Sequence, residues 1–236
     1  MATRKLPESP RSGAFFTPAL FRFLSELAAH NDRAWFDANR ERFEVEVREP
    51  MQAFILAFAE PLRTLSPHFL ADPRPSGGSM FRIFRDTRFS KDKSPYKTNV
   101  GAQFRHRECT KDVHAPGFYL HLSPGECFMS AGIWHPDPES LRRVRERMVS
   151  HTREWKALRA AGLEVSGEAL KRVPAGFDPA HPLAEDLKLK DFYTYAPFTE
   201  HQACAPDFLE RYTENCRRNA PLMRFLCRAL ELPYTG

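Results

Sequence analysis

Residues 118–134 read FYLHLSPGECFMSAGIW, two runs of alternating side chains on either side of Ser123-Pro124-Gly125-Glu126. Alternation with a period of two marks a half-buried strand, and a Pro-Gly pair between two such runs is turn chemistry. The spacing therefore predicts a β-hairpin of residues 118–122 with 127–134. Upstream, 80–84 and 100–104 read as two more strands, and the aromatic stretch 191–198 reads as another. These strands are expected to pair antiparallel.

Working outward, the pattern changes period. Thr17 followed by Pro18 is a helix start, a hydroxyl at the cap and a proline in the first turn, with Leu20, Leu24 and Leu27 forming an apolar stripe. Asn31 or Asp32 ends that helix and caps a second one carrying Trp35, Phe36, Phe43 and Val47 inward. The second helix is expected to stop near Pro50, which opens a third, and Pro61 is expected to kink or end that third helix. Asp137-Pro138 repeats the cap-then-proline device, Trp155 and Leu158 continue or restart that helix up to Gly162, and residues 206–230 form a closing helix. The fold class is thus α+β: a mainly antiparallel sheet flanked by helices at both chain ends, with residues 1–14 as a flexible tail and 15–236 as one domain.

Composition limits what this fold is for. At 236 residues, 42% hydrophobic and 28% charged, the chain is long enough to bury a large core and too charged for a membrane protein. Its longest apolar run, residues 54–59, is far short of the ~20 residues that cross a bilayer as a helix. Five cysteines with no Cys-x-x-Cys pair point to a reducing, cytoplasmic setting and away from a structural zinc site, so no metal and no cofactor is expected.

The net charge of +5 is unevenly placed. Residues 81–97 hold Arg82, Arg85, Arg88, Lys91, Lys93 and Lys97 against Asp86 and Asp92, a net +4, so the rest of the chain is nearly neutral. This segment has three of the chain's nine lysines, although arginine outnumbers lysine 26 to 9 overall. A strand would present the arginines and the turn-rich string 90–95 would bring lysines to the same end. Planar forks mixed with compact ammonium donors suit a multidentate oxyanion such as phosphate. Arg82, Arg85, Arg88, Lys93 and Lys97, with Tyr96 as a hydroxyl donor, are therefore the candidate ligand-binding residues. The alternative is an ordinary surface network of arginine–aspartate and lysine–aspartate pairs.

Four stretches carry a family resemblance: FRIFRDTRFSKDKSPYKT at 81–98, NDRAWF at 31–36, YLHLSPGECFMSAGIWHP at 119–136 and LKRVPAGFDPAHP at 170–182. Together they resemble the bacterial and fungal family catalogued as domain of unknown function 2461, over nearly the whole chain from Phe15 to Phe225. The resemblance implies a single α+β domain and transfers no catalytic role to any residue. His30 stands where the pattern leads one to expect a second asparagine beside Asn31.

Other constellations are weaker. Tyr119 and His121 share a strand face, and His135 follows Trp134 at the end of the partner strand, so two histidines suited to proton transfer would lie near the basic loop. His114, His121 and His135 lack the spacing of metal ligands. Arg142, Arg143, Arg145 and Arg147 surround their helix and alternate with Glu139 and Glu146, which is a solvated face. No Gly-rich phosphate loop and no Gly-x-Ser-x-Gly turn occurs. Three functions stay open: binding of a phosphorylated small molecule, a nucleic-acid binding module, and contact with an acidic partner protein.

Overall fold

The computed structural model describes residues 13–109, 112 and 114–236; residues 1–12 of the expected tail lie outside them. Four strands form one sheet in the order β1 (Val100–Arg105), β2 (Gly117–Ser123), β3 (Glu126–Ile133), β4 (Phe192–Phe198), every neighbouring pair antiparallel. The hairpin forms as the spacing predicts. Ser123 pairs with Glu126 across Pro124-Gly125, and Gly125 takes φ +77°, the left-handed value that a second turn position after proline requires.

Alternation decides which face is buried. Val100, Ala102, Phe104, Phe118, Leu120, Leu122, Cys127, Met129 and Ala131 point into the core. Against them pack α1 (Pro18–Ala29), α4 (Glu49–Leu65) and the first half of α9 (Phe208–Ala229). Phe54 sits at the centre, its ring 5.4–6.1 Å from those of Phe15, Phe16, Phe58, Phe208 and Tyr212. Burying one such ring is worth about 1.5–3 kcal/mol, and each ring pair adds about 0.5–1.5. A second cluster joins α5 (Pro138–Ser150), α6 (Thr152–Ala160) and α7 (Ala184–Leu187) to the far half of α9 through Trp155, Leu222, Phe225 and Leu226. Because α9 spans both clusters, it ties the two ends of the sheet together. The fold is α+β, with helices at both chain ends.

Several local expectations are corrected. Thr17 stands at the N-cap of α1, but its hydroxyl makes no capping bond. Asp32 does cap α2 (Arg33–Ala38), accepting the Trp35 N–H at 2.9 Å. Pro50 stands in the first turn of α4, as expected, but the chain does not break before it. From α3 (Arg40–Phe43) the chain passes through a wide π-turn, Glu44–Arg48, directly into α4. A proline gives no N–H and crowds the carbonyl four residues back, and a wide turn just before it relieves both. Pro61 likewise lies inside α4, which runs on to Leu65, because Phe54, Ile55, Phe58 and Leu62 bury enough apolar surface to outweigh one lost hydrogen bond.

The largest difference concerns residues 80–84, which do not form a regular strand. Instead Met80 bridges Ala102 and Phe84 bridges Tyr96, with the Phe81 N–H donating to Gly101 O at 3.0 Å and the Lys97 N–H to Ile83 O at 2.7 Å. The segment folds back on itself as a short irregular hairpin and lies against the edge of β1.

Candidate functional site

No helix among the described residues covers the cavity on the sheet's other face. Gly101, Gln103, Gly117, Tyr119, Glu126, Phe128, Ser130, Gly132, Tyr193 and Tyr195 line this concavity of about 560 Å³, with Phe81, Arg82, Lys97, Asn99 and Trp134 around them. Three of the residues at its floor are glycines, which is why there is space. A side-chain carbon at Gly101 would stand 2.6 Å from the Tyr119 hydroxyl. At Gly132, where φ is +141°, it would meet the Phe192 carbonyl oxygen at 2.1 Å.

Aromatic rings make the walls continuous. Phe81 and Tyr119 have centroids 6.0 Å apart, Tyr119 and Phe128 5.8 Å, and Phe128 and Tyr195 4.8 Å. His121 lies behind Tyr119, stacked on Phe128 at 4.6 Å. Its Nδ1 faces the Asn99 amide nitrogen at 3.4 Å and the Tyr119 hydroxyl at 2.9 Å. Since the Asn99 nitrogen can only donate, Nδ1 is the acceptor and Tyr119 donates its proton to it. Burial agrees with this assignment from both sides: it holds His121 below its ordinary pKa, hence neutral, and pushes the Tyr119 phenol up to about 12.

The six sequence candidates divide. Arg82 and Lys97 border the open-face cavity, and neither is paired with a carboxylate among the described residues. The Lys97 ammonium lies 5.1 Å above the centre of the Phe81 ring. Burial, and then the charge of Arg82, hold its pKa below the ordinary lysine value. Arg85 is bonded to Asp92, and Arg88 to Asp86 at 2.6 Å. Both aspartates feel it: Arg88 draws Asp86 down to about 2, and Arg85 with Ser94 holds Asp92 well below the usual carboxylate range. Lys93 donates to the Thr87 carbonyl at 2.9 Å. These contacts shape the loop from within.

Tyr96 is held differently. Its ring stacks on Phe36 at 4.0 Å, while the Asn31 side chain accepts its N–H and donates to its carbonyl, both at 3.0 Å. With Arg85 it borders a separate hollow of about 330 Å³ beside α2 and α3, where Arg33 and Arg40 also sit. So two of the six candidates meet at the large cavity, two at the small one, and Arg88 and Lys93 at neither.

Two of the segments quoted for the family resemblance, the basic hairpin and the β2–β3 hairpin, border this cavity, and Asn31 of a third fixes the Tyr96 backbone beside Lys97. The chain belongs to DUF2461, a family of conserved hypothetical proteins. The family's sequence profile matches residues 19–225. No curated protein matches the chain. In this DUF2461 protein no helix among the described residues is long and apolar enough to cross a membrane, and no group of three or more His, Cys, Asp or Glu side chains among them is placed to hold a metal ion.

His135 is not part of the cavity lining, although Trp134 is. It takes φ +49°, and its N–H donates at 2.6 Å to the carboxylate of Asp191, which is 1% exposed and also accepts the Glu168 N–H at 3.1 Å. This knot closes the sheet's far end. Phe128, Ser130, Tyr193 and Tyr195 were missed as site residues from sequence. The alternation that pairs Tyr119 with His121 puts them on the same face, but nothing local says which face the helices leave open.

Proposed function

We propose that this protein binds a small anionic molecule with a flat, ring-bearing body, a phosphorylated one being the best fit, in the cavity on the open sheet face. The observation that carries this reading is the pairing of Arg82 and Lys97, two cations that form no ion pair among the described residues, with the rings of Phe81, Tyr119, Phe128, Trp134, Tyr193 and Tyr195 in a cavity whose one carboxylate is Glu126. Rings 4.8–6.0 Å apart, tilted or edge-on to one another, offer apolar surface to a planar body, and the glycine floor lets it approach the backbone. A guanidinium fork beside an ammonium matches an oxyanion head. Arg85, Arg88 and Lys93 serve by holding the hairpin in shape.

A thermal-shift titration with inorganic phosphate, phenyl phosphate and adenosine monophosphate tests it. A ligand at ~100 times its dissociation constant adds about 2.7 kcal/mol of stability. Arg82→Ala removes a charged hydrogen bond worth about 1.5–3 kcal/mol, roughly a ten- to hundredfold loss of affinity. Phenyl phosphate binding more tightly than inorganic phosphate is expected, because the rings contribute. Absence of any shift at millimolar concentrations of all three sinks the reading. Affinity for oligonucleotides that falls steeply with salt would instead favour the nucleic-acid alternative, since each phosphate contact releases a counterion.

A further inference from the structure

We propose that Lys97 is a nucleophilic amine that condenses with the carbonyl group of an anionic aldehyde or ketone positioned by Arg82. The inference rests on the anion-binding reading of the same cavity and adds a reaction to it.

Lys97 differs from the other lysines in how it is held. Lys188 and Lys190 are each paired with a glutamate, Lys188 with Glu185 at 2.6 Å and Lys190 with Glu168. Lys93 donates to a backbone carbonyl, and Lys91, Lys156 and Lys171 are exposed. Lys97 alone among the described lysines is half-buried in a cavity, set over an aromatic face, with a second cation as its charged neighbour. Its backbone is fixed by the bond to Ile83 O and by the Asn31 clip on Tyr96 just before it. The amine therefore meets a ligand from a defined place.

Two physical effects make such an amine reactive. Removing water penalises the ammonium form, and a guanidinium beside it adds repulsion, so a larger fraction is free amine at neutral pH. An ordinary lysine, with a pKa near 10.4, is almost wholly protonated there, and each unit of depression raises the free fraction about tenfold. The charged and titratable groups around it are Arg82, Arg105, which also lies over the Phe81 ring at 5.6 Å, Tyr119, and the cavity's one carboxylate, Glu126. Tyr119 remains protonated at neutral pH, so it does not offset the cations.

The chemistry balances without an oxidant or a reductant. The free amine's electron pair attacks the carbonyl carbon, and the carbonyl oxygen takes up a proton to give a carbinolamine. That hydroxyl then leaves as water, the nitrogen having lost both of its protons, and a carbon–nitrogen double bond remains. Arg82 would bind the substrate's anionic group and so hold its carbonyl against Lys97.

The test uses the full chain and pyridoxal 5′-phosphate, an anionic aldehyde, with borohydride reduction to fix the imine and peptide mapping to locate it. At neutral pH Lys97 is expected to be labelled faster than each of the other eight lysines. The pH dependence of its labelling should inflect below the ordinary lysine range. Lys97→Arg, which keeps the charge, should lose the fast label, and Arg82→Ala should slow it and move the inflection upward. Equal labelling of all lysines, or an unlabelled Lys97 in the unaltered protein, overturns the proposal whether or not the variants fold. Failure here with a phosphate-induced thermal shift intact would leave the anion reading standing. Fast labelling of Lys97 by benzaldehyde, equal to that by pyridoxal phosphate and with no phosphate shift, would keep the amine and remove the anion site.

Discussion

Asn31 is the most economical place to test how the basic hairpin is set against the helices. Its side-chain amide makes both halves of a peptide-like pair with Tyr96, accepting the N–H and donating to the carbonyl at 3.0 Å each. Tyr96 is 3% exposed, so water cannot easily take over either group. At roughly 1 kcal/mol per hydrogen bond, Asn31→Ala should cost about 2 kcal/mol, and somewhat more if both backbone groups are left unsatisfied. In a domain of this size that corresponds to a fall in Tm of roughly 4–8 °C. Asn31→Asp sharpens the test. An ionised carboxylate still accepts the Tyr96 N–H but sets an oxygen against the Tyr96 carbonyl, so at pH 7 it should destabilise at least as much as alanine. Protonation restores a donor. The folded carboxyl should therefore titrate above its unfolded value, and the deficit should shrink as pH falls. Urea unfolding at pH 7 and pH 4 measures both variants against the unaltered protein at constant slope. Asn31→Ala within 0.5 kcal/mol of wild type, or Asn31→Asp less costly than alanine at pH 7, would refute the clip.

Other expectations follow from the same coordinates. Gly132→Ala sets a carbon 2.1 Å from the Phe192 carbonyl at a residue with φ +141°, so it should force β3 and β4 apart and cost about 3 kcal/mol, read as a lowered midpoint in denaturant. His106 is buried, with its Nε2 facing the Pro233 carbonyl at 2.9 Å and its Nδ1 accepting the Glu108 N–H, and burial holds its pKa below 6.5. The unfolded chain therefore binds more protons just beneath pH 6.5, so stability should fall as pH drops through that window, and His106→Gln should flatten the slope in a Tm–pH series. Asp191→Ala strands the His135 and Glu168 N–H groups in a buried setting and should cost about 2–5 kcal/mol, while leaving phosphate binding at the distant Arg82 end unchanged in the surviving folded fraction.

What sequence reading recovers here depends on whether the deciding forces are local. Asp32 and Asp137 cap helices because a carboxylate reaches backbone N–H groups two or three residues on, whatever the rest of the chain does. The 123–126 turn forms for the same reason. Pro61 misleads because its penalty is local while its compensation, the apolar face of α4, is tertiary. Residues 80–84 mislead in the opposite sense: their alternation is right, but their partners are 96 and 102, and the intervening loop leaves room for isolated bridges only. Counting charge found the basic segment, yet could not tell Arg82 from Arg88. That difference lies in Asp86 and Asp92, which sit where the loop bends back and take up Arg88 and Arg85.

The open sheet face argues for a ligand independently of charge. In an antiparallel sheet with one solvated face, outward positions normally carry polar side chains, because exposing large rings gains nothing. Here the outward positions of β1 to β4 carry, beside the polar Gln103, Glu126 and Ser130, the residues Gly101, Gly117, Tyr119, Phe128, Gly132, Tyr193 and Tyr195, the rings grouped around a hollow that the glycines keep open. Stability alone does not select this arrangement, since alanine in a strand is worth about 0.5–1 kcal/mol more than glycine. Gly101 makes the case concrete. A methyl group there displaces the Tyr119 hydroxyl from His121, a loss of about 1 kcal/mol, and sits 3.0 Å from the Leu120 carbonyl oxygen, costs that the strand preference for alanine offsets in large part. Gly101→Ala should accordingly fold almost as well as the unaltered protein and bind phenyl phosphate much less tightly, because Tyr119 has swung into the cavity. Were it instead to bind equally well, the glycine would be there for strand packing and the hollow would be incidental.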